Sequence, residues 1–129
     1  PEHCYDFGKA VKEIVENDLP DGLSVALMGT GGLSHDPGGP KYFDVDEEFD
    51  RWFLDILEQG DPEMVLRECT IEKMVAAGDG GTSELIAWIA AMGAVGNREA
   101  HTICYEPAVE LRCGMGCVYW DMEKEAAYA

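Results

Sequence analysis

The tightest constraint on this chain is an apolar run, Leu23-Ser24-Val25-Ala26-Leu27-Met28, that passes directly into Gly29-Thr30-Gly31-Gly32-Leu33-Ser34-His35. A short uncharged run of this kind suits a central β-strand covered on both faces. The glycines behind it tolerate positive φ and let the backbone turn. Asp36-Pro37-Gly38-Gly39-Pro40 then excludes regular structure. A strand end therefore presents one histidine, whose ordinary pKa lies closest to physiological pH and which is suited to proton transfer. A tight turn in which His35 only caps a loop satisfies the same spacing.

The rest of the chain alternates helical and extended patterns. Phe7, Val11, Ile14 and Val15 recur at helical spacing within residues 4–15. Pro20-Asp21-Gly22 marks a turn before the apolar run. The clearest helix carries Phe49, Trp52, Phe53, Ile56 and Leu57 on one face, with Asp44 or Asp46 as N-cap and Gly60 past its end. Short helices are expected over residues 62–68 and 71–77, the second capped by Thr70, and Gly78-Asp79-Gly80-Gly81 breaks the pattern. Thr82 or Ser83 is placed to cap a helix through Leu85, Ile86, Trp88, Ile89 and Met92, stopped by Gly93 or Gly96. Late strands are expected near residues 102–105 and 116–120. The pattern predicts an α/β fold, with a central, mostly buried sheet flanked by helices. Residues 1–129 form one domain or part of one.

Charge narrows the partners. Twenty-six acids against nine Lys and Arg give a formal net charge of −17, which repels phosphate backbones and anionic headgroups, so nucleic acid and membrane surfaces are excluded as partners. The dense acidic runs at residues 44–50 and 121–125 read as solvated faces. No signal peptide or long apolar span is visible, and five cysteines is an odd number, so reduced, mostly buried thiols in a cytoplasmic protein are expected. Cys113-Gly-Met-Gly-Cys117 finds no second metal-binding pair to complete a tetrahedral site. The chain opens at Pro1 rather than methionine, which reads as truncation, processing or a piece of something longer.

Glu84 is the second residue of chemical interest. It falls in the first turn of the Trp88 helix, where free backbone N–H groups and the helix dipole favour an anion. Ordinary first-turn electrostatics explains a carboxylate there. So does a metal ligand beside a glycine loop, since non-haem iron(II) oxygenases use two histidines and one carboxylate. Only His3, His35 and His101 are present, with no HxD or HxxxH pairing, so these residues do not complete a triad among themselves. A dinucleotide fingerprint is opposed by Pro37 and Pro40, which stand where a helix is required. A nucleophile elbow is opposed by the absence of GxSxG.

Taken in order, GTGGLSH at residues 29–35, DRWFLD at residues 50–55, GTSEL at residues 81–85, Trp88 and MGAVG at residues 92–96 resemble a known family. It is the catalytic subunit of class III extradiol ring-cleavage dioxygenases, including protocatechuate and gallate dioxygenases, and the likeness covers its C-terminal portion from about Cys4 to Pro107. The resemblance implies meta cleavage of a catecholic aromatic acid with O2 and a single non-haem Fe(II). It implies that His35 is the acid–base histidine and Glu84 the carboxylate iron ligand, with Gly31 and Gly32 turning His35 toward the metal. The family's two iron-binding histidines match neither His3 nor His101. The resemblance therefore implies an iron site incomplete in this chain and an isolated chain without activity, with a homo-oligomer, or a partner segment or subunit that carries the two iron-binding histidines, as the assembly. A non-catalytic binding module of the same superfamily, or an inactive fragment, is the alternative. Lys41, Arg67, Arg98 and Arg112 are all open as the group that receives a substrate carboxylate.

Overall fold

The computed structural model describes residues 1–123. Five helices and two strands follow one another as α1 (Glu2–Asn17), α2 (Glu47–Glu58), α3 (Pro62–Glu68), α4 (Ile71–Gly78), α5 (Ile86–Val95), β1 (Ala100–Ala108) and β2 (Cys113–Trp120). The class is mixed α/β, and none of the described helices is long and apolar enough to cross a membrane.

Helix ends follow from side-chain chemistry. The Asp46 carboxylate accepts from the Phe49 N–H, Asp61 from Met64, and the Thr70 hydroxyl from Lys73, so α2, α3 and α4 each begin on a capped turn. Of the two caps open for α2, Asp46 is the one used. Gly60 follows the C-terminus of α2 with φ of 67°, a conformation glycine adopts without a Cβ penalty. One capping expectation fails. Residues Thr82–Leu85 form a 3₁₀ turn ahead of α5, and neither Thr82 nor Ser83 caps a helix with its side chain. The Thr82 hydroxyl is instead engaged by the backbone of His35.

The core gathers Leu33, Phe53, Leu57, Met74, Leu85 and Ile89, all essentially without solvent exposure, where the inner faces of α2, α4 and α5 meet. Helix α1 crosses α5 at two glycines. A Cβ on Gly8 would overlap the Ala90 carbonyl oxygen, and one on Gly93 would overlap the Tyr5 carbonyl oxygen. Alanine at an exposed mid-helix position stabilises relative to glycine by about 1 kcal/mol. At Gly93 the sign reverses: Gly93→Ala is expected to destabilise by about 1–3 kcal/mol, because the backbones must separate. A denaturant midpoint equal to or above wild type would show that the crossing tolerates the methyl group.

Strands β1 and β2 pair antiparallel, from Ala100 opposite Trp120 to Ala108 opposite Cys113, with a bulge between Thr102 and Cys104. A 3₁₀ turn at Val109–Leu111 and Arg112 at φ 60° close the hairpin. The strands expected at residues 102–105 and 116–120 are thus present and longer than foreseen. The strand expected over residues 23–28 does not form: this segment has no ladder partner among the described residues. Leu23, Val25, Leu27 and Met28 stand 49–80% exposed. Val25, Leu27 and Met28 border an apolar groove of about 640 Å³ with Val11, Val15, Trp88, Val118 and Trp120. The physical reason is that an apolar run fixes β-propensity, whereas a strand also needs a neighbour to take its N–H and C=O groups.

The cysteines depart from expectation in part. Cys69 is buried and Cys4 and Cys113 half-buried, but Cys104 and Cys117 are exposed. Burial pushes the Cys69 thiol up to about 12.

Candidate active site

The glycine loop is folded by contacts from four directions. Gly31 adopts φ of 141°, open to glycine, and a Cβ there would lie 2.8 Å from Glu84 Cβ. The Trp88 indole N–H donates to the Gly31 carbonyl at 3.2 Å from below. Leu33 N–H donates to the Gly114 carbonyl at 3.2 Å and Gly114 N–H to the Ser34 carbonyl at 2.9 Å, which stitches the loop to the start of β2. Gly32 has an ordinary φ. Its role is close approach, because a Cβ there would stand 2.7 Å from Cys113 Sγ and 2.9 Å from the His35 ring.

The fourth contact is Asp50. Its carboxylate is fully buried and accepts from Ser34 N–H at 2.7 Å, Ser34 Oγ at 3.0 Å and the Tyr105 hydroxyl at 2.9 Å. The Ser34 hydroxyl accepts in turn from Asp46 N–H at 2.8 Å. Burial raises the Asp50 pKa above its usual value, and the Ser34 and Tyr105 hydrogen bonds oppose the rise. Burial, then the hydrogen bond to Asp50, holds the Tyr105 phenol protonated well above its ordinary range.

His35 and Glu84 come together on this support. Their Nε2 and Oε2 atoms lie 3.7 Å apart, with the His35 side chain 16% exposed and that of Glu84 55% exposed. His35 Nδ1 lies 2.8 Å from the Leu33 carbonyl, which can only accept, so the proton sits on Nδ1 and Nε2 faces the carboxylate. Glu84 belongs to the 3₁₀ turn rather than the first turn of α5, and its Oε2 also accepts from the Gly32 N–H at 3.0 Å.

Two further residues lock the loops together. Asp36, Pro37, Gly38 and Gly39 make a type II turn, with Gly38 at φ 80° and Gly39 N–H donating to the Asp36 carbonyl at 3.1 Å. That turn occupies the place where a dinucleotide fingerprint requires a helix. The buried Asp36 carboxylate accepts from Lys41 N–H at 2.9 Å and from Gly80 N–H at 2.7 Å, bridging to the glycine segment that leads to Glu84. Thr82 Oγ1 accepts from the His35 N–H at 3.2 Å and donates to the His35 carbonyl at 3.3 Å. Bare glycines at 78 and 81 admit this packing, since side chains there would strike the His35 backbone and ring.

The roles of Asp36 and Asp50 carry no assignment from sequence, and Thr82 is read there only as a candidate helix cap. Asp50 carried a signal, however, because it shares the inner stripe of α2 with Phe53, Leu54 and Leu57, where a charge demands partners. His3 lies on α1 and His101 on β1, where its ring packs 5.1 Å from that of Tyr119. Among the described residues no three His, Cys, Asp or Glu side chains lie close enough to hold a metal ion. Glu84 is an accessible carboxylate fit to be one ligand of a hard divalent cation, and the described residues do not complete a shell around it.

The candidate carboxylate receptors are mostly engaged. Lys41 Nζ donates to the Ala76 carbonyl, Arg67 Nε pairs with Glu68 at 3.0 Å, and the Arg112 guanidinium lies 4.2 Å from the Tyr42 ring centre and 4.6 Å from that of Phe43.

Residues 1–112 match the family model described as the catalytic LigB subunit of aromatic ring-opening dioxygenase. The chain belongs to that family. It is also 34% identical over 90 residues to gallate dioxygenase of Pseudomonas putida (strain KT2440), a match covering 70% of this chain and 26% of that protein. The chain therefore spans about a quarter of the length of this relative. The matched region contains the glycine loop, the 3₁₀ turn that carries Glu84 and helices α1 to α5.

Proposed function

We propose that this chain supplies the acid–base histidine, His35, and one iron-binding carboxylate, Glu84, to extradiol cleavage of a catecholic aromatic acid by O2. The observation that carries the reading is the approach of His35 Nε2 to Glu84 Oε2, with Nδ1 tied to the Leu33 carbonyl. Non-haem Fe(II), when bound, would bring the diol and O2 together and activate both. The chain's own part is proton handling. With its proton fixed on Nδ1, His35 offers Nε2 as the base that takes a hydroxyl proton from the diol and returns it to the oxygenated ring. Glu84 Oε2 lies 3.7 Å from that nitrogen, so the base and the proposed iron ligand face the same space.

The shell around iron is completed in this reading by two histidines from a segment or subunit outside these residues. The apolar groove along residues 25–28 supports that view, since Val25, Leu27 and Met28 stand exposed along it and await a covering layer. Trp120 lines the same groove, and its indole nitrogen is buried with no hydrogen-bond partner among the described residues. An Fe(II)-dependent protein with its cysteines unpaired suits a reducing, cytoplasmic compartment.

The test is ring-opening activity of the chain joined to the histidine-bearing part of a family member, supplied with Fe(II), O2 and catecholic acids. Turnover is expected only in the joined protein. Glu84→Ala is expected to lower iron content at least tenfold, in line with the loss of a metal ligand's support. Iron content that stays at the wild-type level in Glu84→Ala would remove Glu84 from the site. Absence of turnover in a joined protein that holds iron would favour a non-catalytic module.

A further inference from the structure

Cys104 and Cys117 are register partners across the β1–β2 ribbon, and both are exposed. Residues directly opposite in an antiparallel pair lie about 4.5–5.5 Å apart at Cα and point to the same face. A disulfide requires about 4.4–6.8 Å between Cα atoms, with the Cβ atoms facing one another. The ladder thus pre-aligns two thiols. Glu106 and Met115, the register pair two positions along and therefore on the same face, are exposed as well, so the thiols share the outer face of the ribbon.

The other cysteines differ in kind. Cys69 is buried under the core, and Cys4 lies on α1. Cys113 stands opposite Ala108, partly covered, with its Sγ donating to the Gly114 carbonyl. Burial raises its thiol above the ordinary range, and the Asp50 and Glu84 carboxylates add to the rise, which disfavours the reactive thiolate.

We infer that Cys104 and Cys117 form a site of reversible oxidation, closing to a cross-strand disulfide when the protein meets hydrogen peroxide. One thiolate attacks a peroxide oxygen, the O–O bond breaks, and the hydroxide that leaves takes up the proton released by that thiol, giving a sulfenic acid and water. The second thiolate then attacks the sulfenic sulfur, the S–O bond breaks as the S–S bond forms, and the departing hydroxide takes up the second thiol's proton as a second water. Two thiols are oxidised and one peroxide is reduced to two waters. Disulfides in reducing compartments are transient and redox-sensing, and a thiol reductant reopens this one. The cross-link would staple the ribbon beside Tyr105, which holds Asp50, and Gly116, which packs under Leu33. It would therefore stiffen the support of the histidine loop, whether or not the loop is catalytic.

The experiment is oxidation of the folded chain with a small molar excess of hydrogen peroxide, alkylation of remaining thiols, and tryptic peptide mapping. Cleavage after Arg98, Arg112 and Lys124 places Cys104 in peptide 99–112, and Cys113 with Cys117 in peptide 113–124. The expected product is these two peptides joined, at a mass lower by two hydrogens than their sum and separated by dithiothreitol. Cys113→Ser keeps the link, and Cys117→Ser abolishes it. A link through Cys113, or Cys104 and Cys117 recovered as separate thiols or sulfinic acids, would overturn the assignment.

Discussion

Asp50→Ala is expected to lower the unfolding free energy by about 3–5 kcal/mol, among the largest losses a single side chain can cause. Three donors converge on this carboxylate: the Ser34 N–H, the Ser34 hydroxyl and the Tyr105 phenol. Each buried donor left without an acceptor costs about 1–3 kcal/mol, and the void left by the carboxylate adds to that. The damage is directional, since Ser34 sits between Leu33, which fixes the His35 ring, and His35 itself. Loss of Asp50 should broaden the His35 and Gly32 amide signals in NMR spectra before the helices melt.

Asp50→Asn separates charge from shape. Burial raises the folded-state pKa of Asp50 above the usual 3.8, so between those two values the native state binds more protons than the unfolded state. Wild-type stability contributed by this group therefore falls as pH rises through the window and returns as pH drops below it. The amide does not titrate. The stability of wild type relative to Asp50→Asn is expected to improve as pH falls from neutral toward 3.8. A difference independent of pH would show that Asp50 is solvated rather than buried.

What the sequence disclosed and withheld has a common physical root. Helix α2 was legible because its stripe and its cap are local: Phe49, Phe53, Ile56 and Leu57 recur at helical spacing, and Asp46 lies at the right offset. The β1–β2 hairpin was legible in place but not in length, because the bulge at Thr102 and the left-handed Arg112 carry no strong residue signal. The run at residues 23–28 was legible as apolar. Its pairing was not, because a ladder depends on residues distant in sequence, and the described chain offers it none. His35 and Glu84 could be named from motifs, whereas their approach to 3.7 Å depends on the non-local bonds of Asp36 and Thr82. Those two residues are ordinary in sequence and decisive only once the loops meet.

His35→Ala, in the protein joined to its histidine-bearing part, is expected to reduce kcat about 10²- to 10⁴-fold, the usual contribution of a positioned acid–base group. Iron content should remain at the wild-type level, because the proposed ligand is Glu84 and the Gly32 N–H bond that orients its carboxylate does not involve the imidazole. KM should change far less than kcat, since the lost group acts on a proton in transit rather than on bound substrate. The substitution leaves a space beside bare Gly81 that the ring filled. Free imidazole is therefore expected to restore part of the rate to His35→Ala and none to Glu84→Ala. Asp36→Ala offers the contrasting case, because it loosens the Gly80 segment without removing the base. Normal turnover by His35→Ala would remove proton transfer from His35, and simultaneous loss of iron would recast it as a ligand.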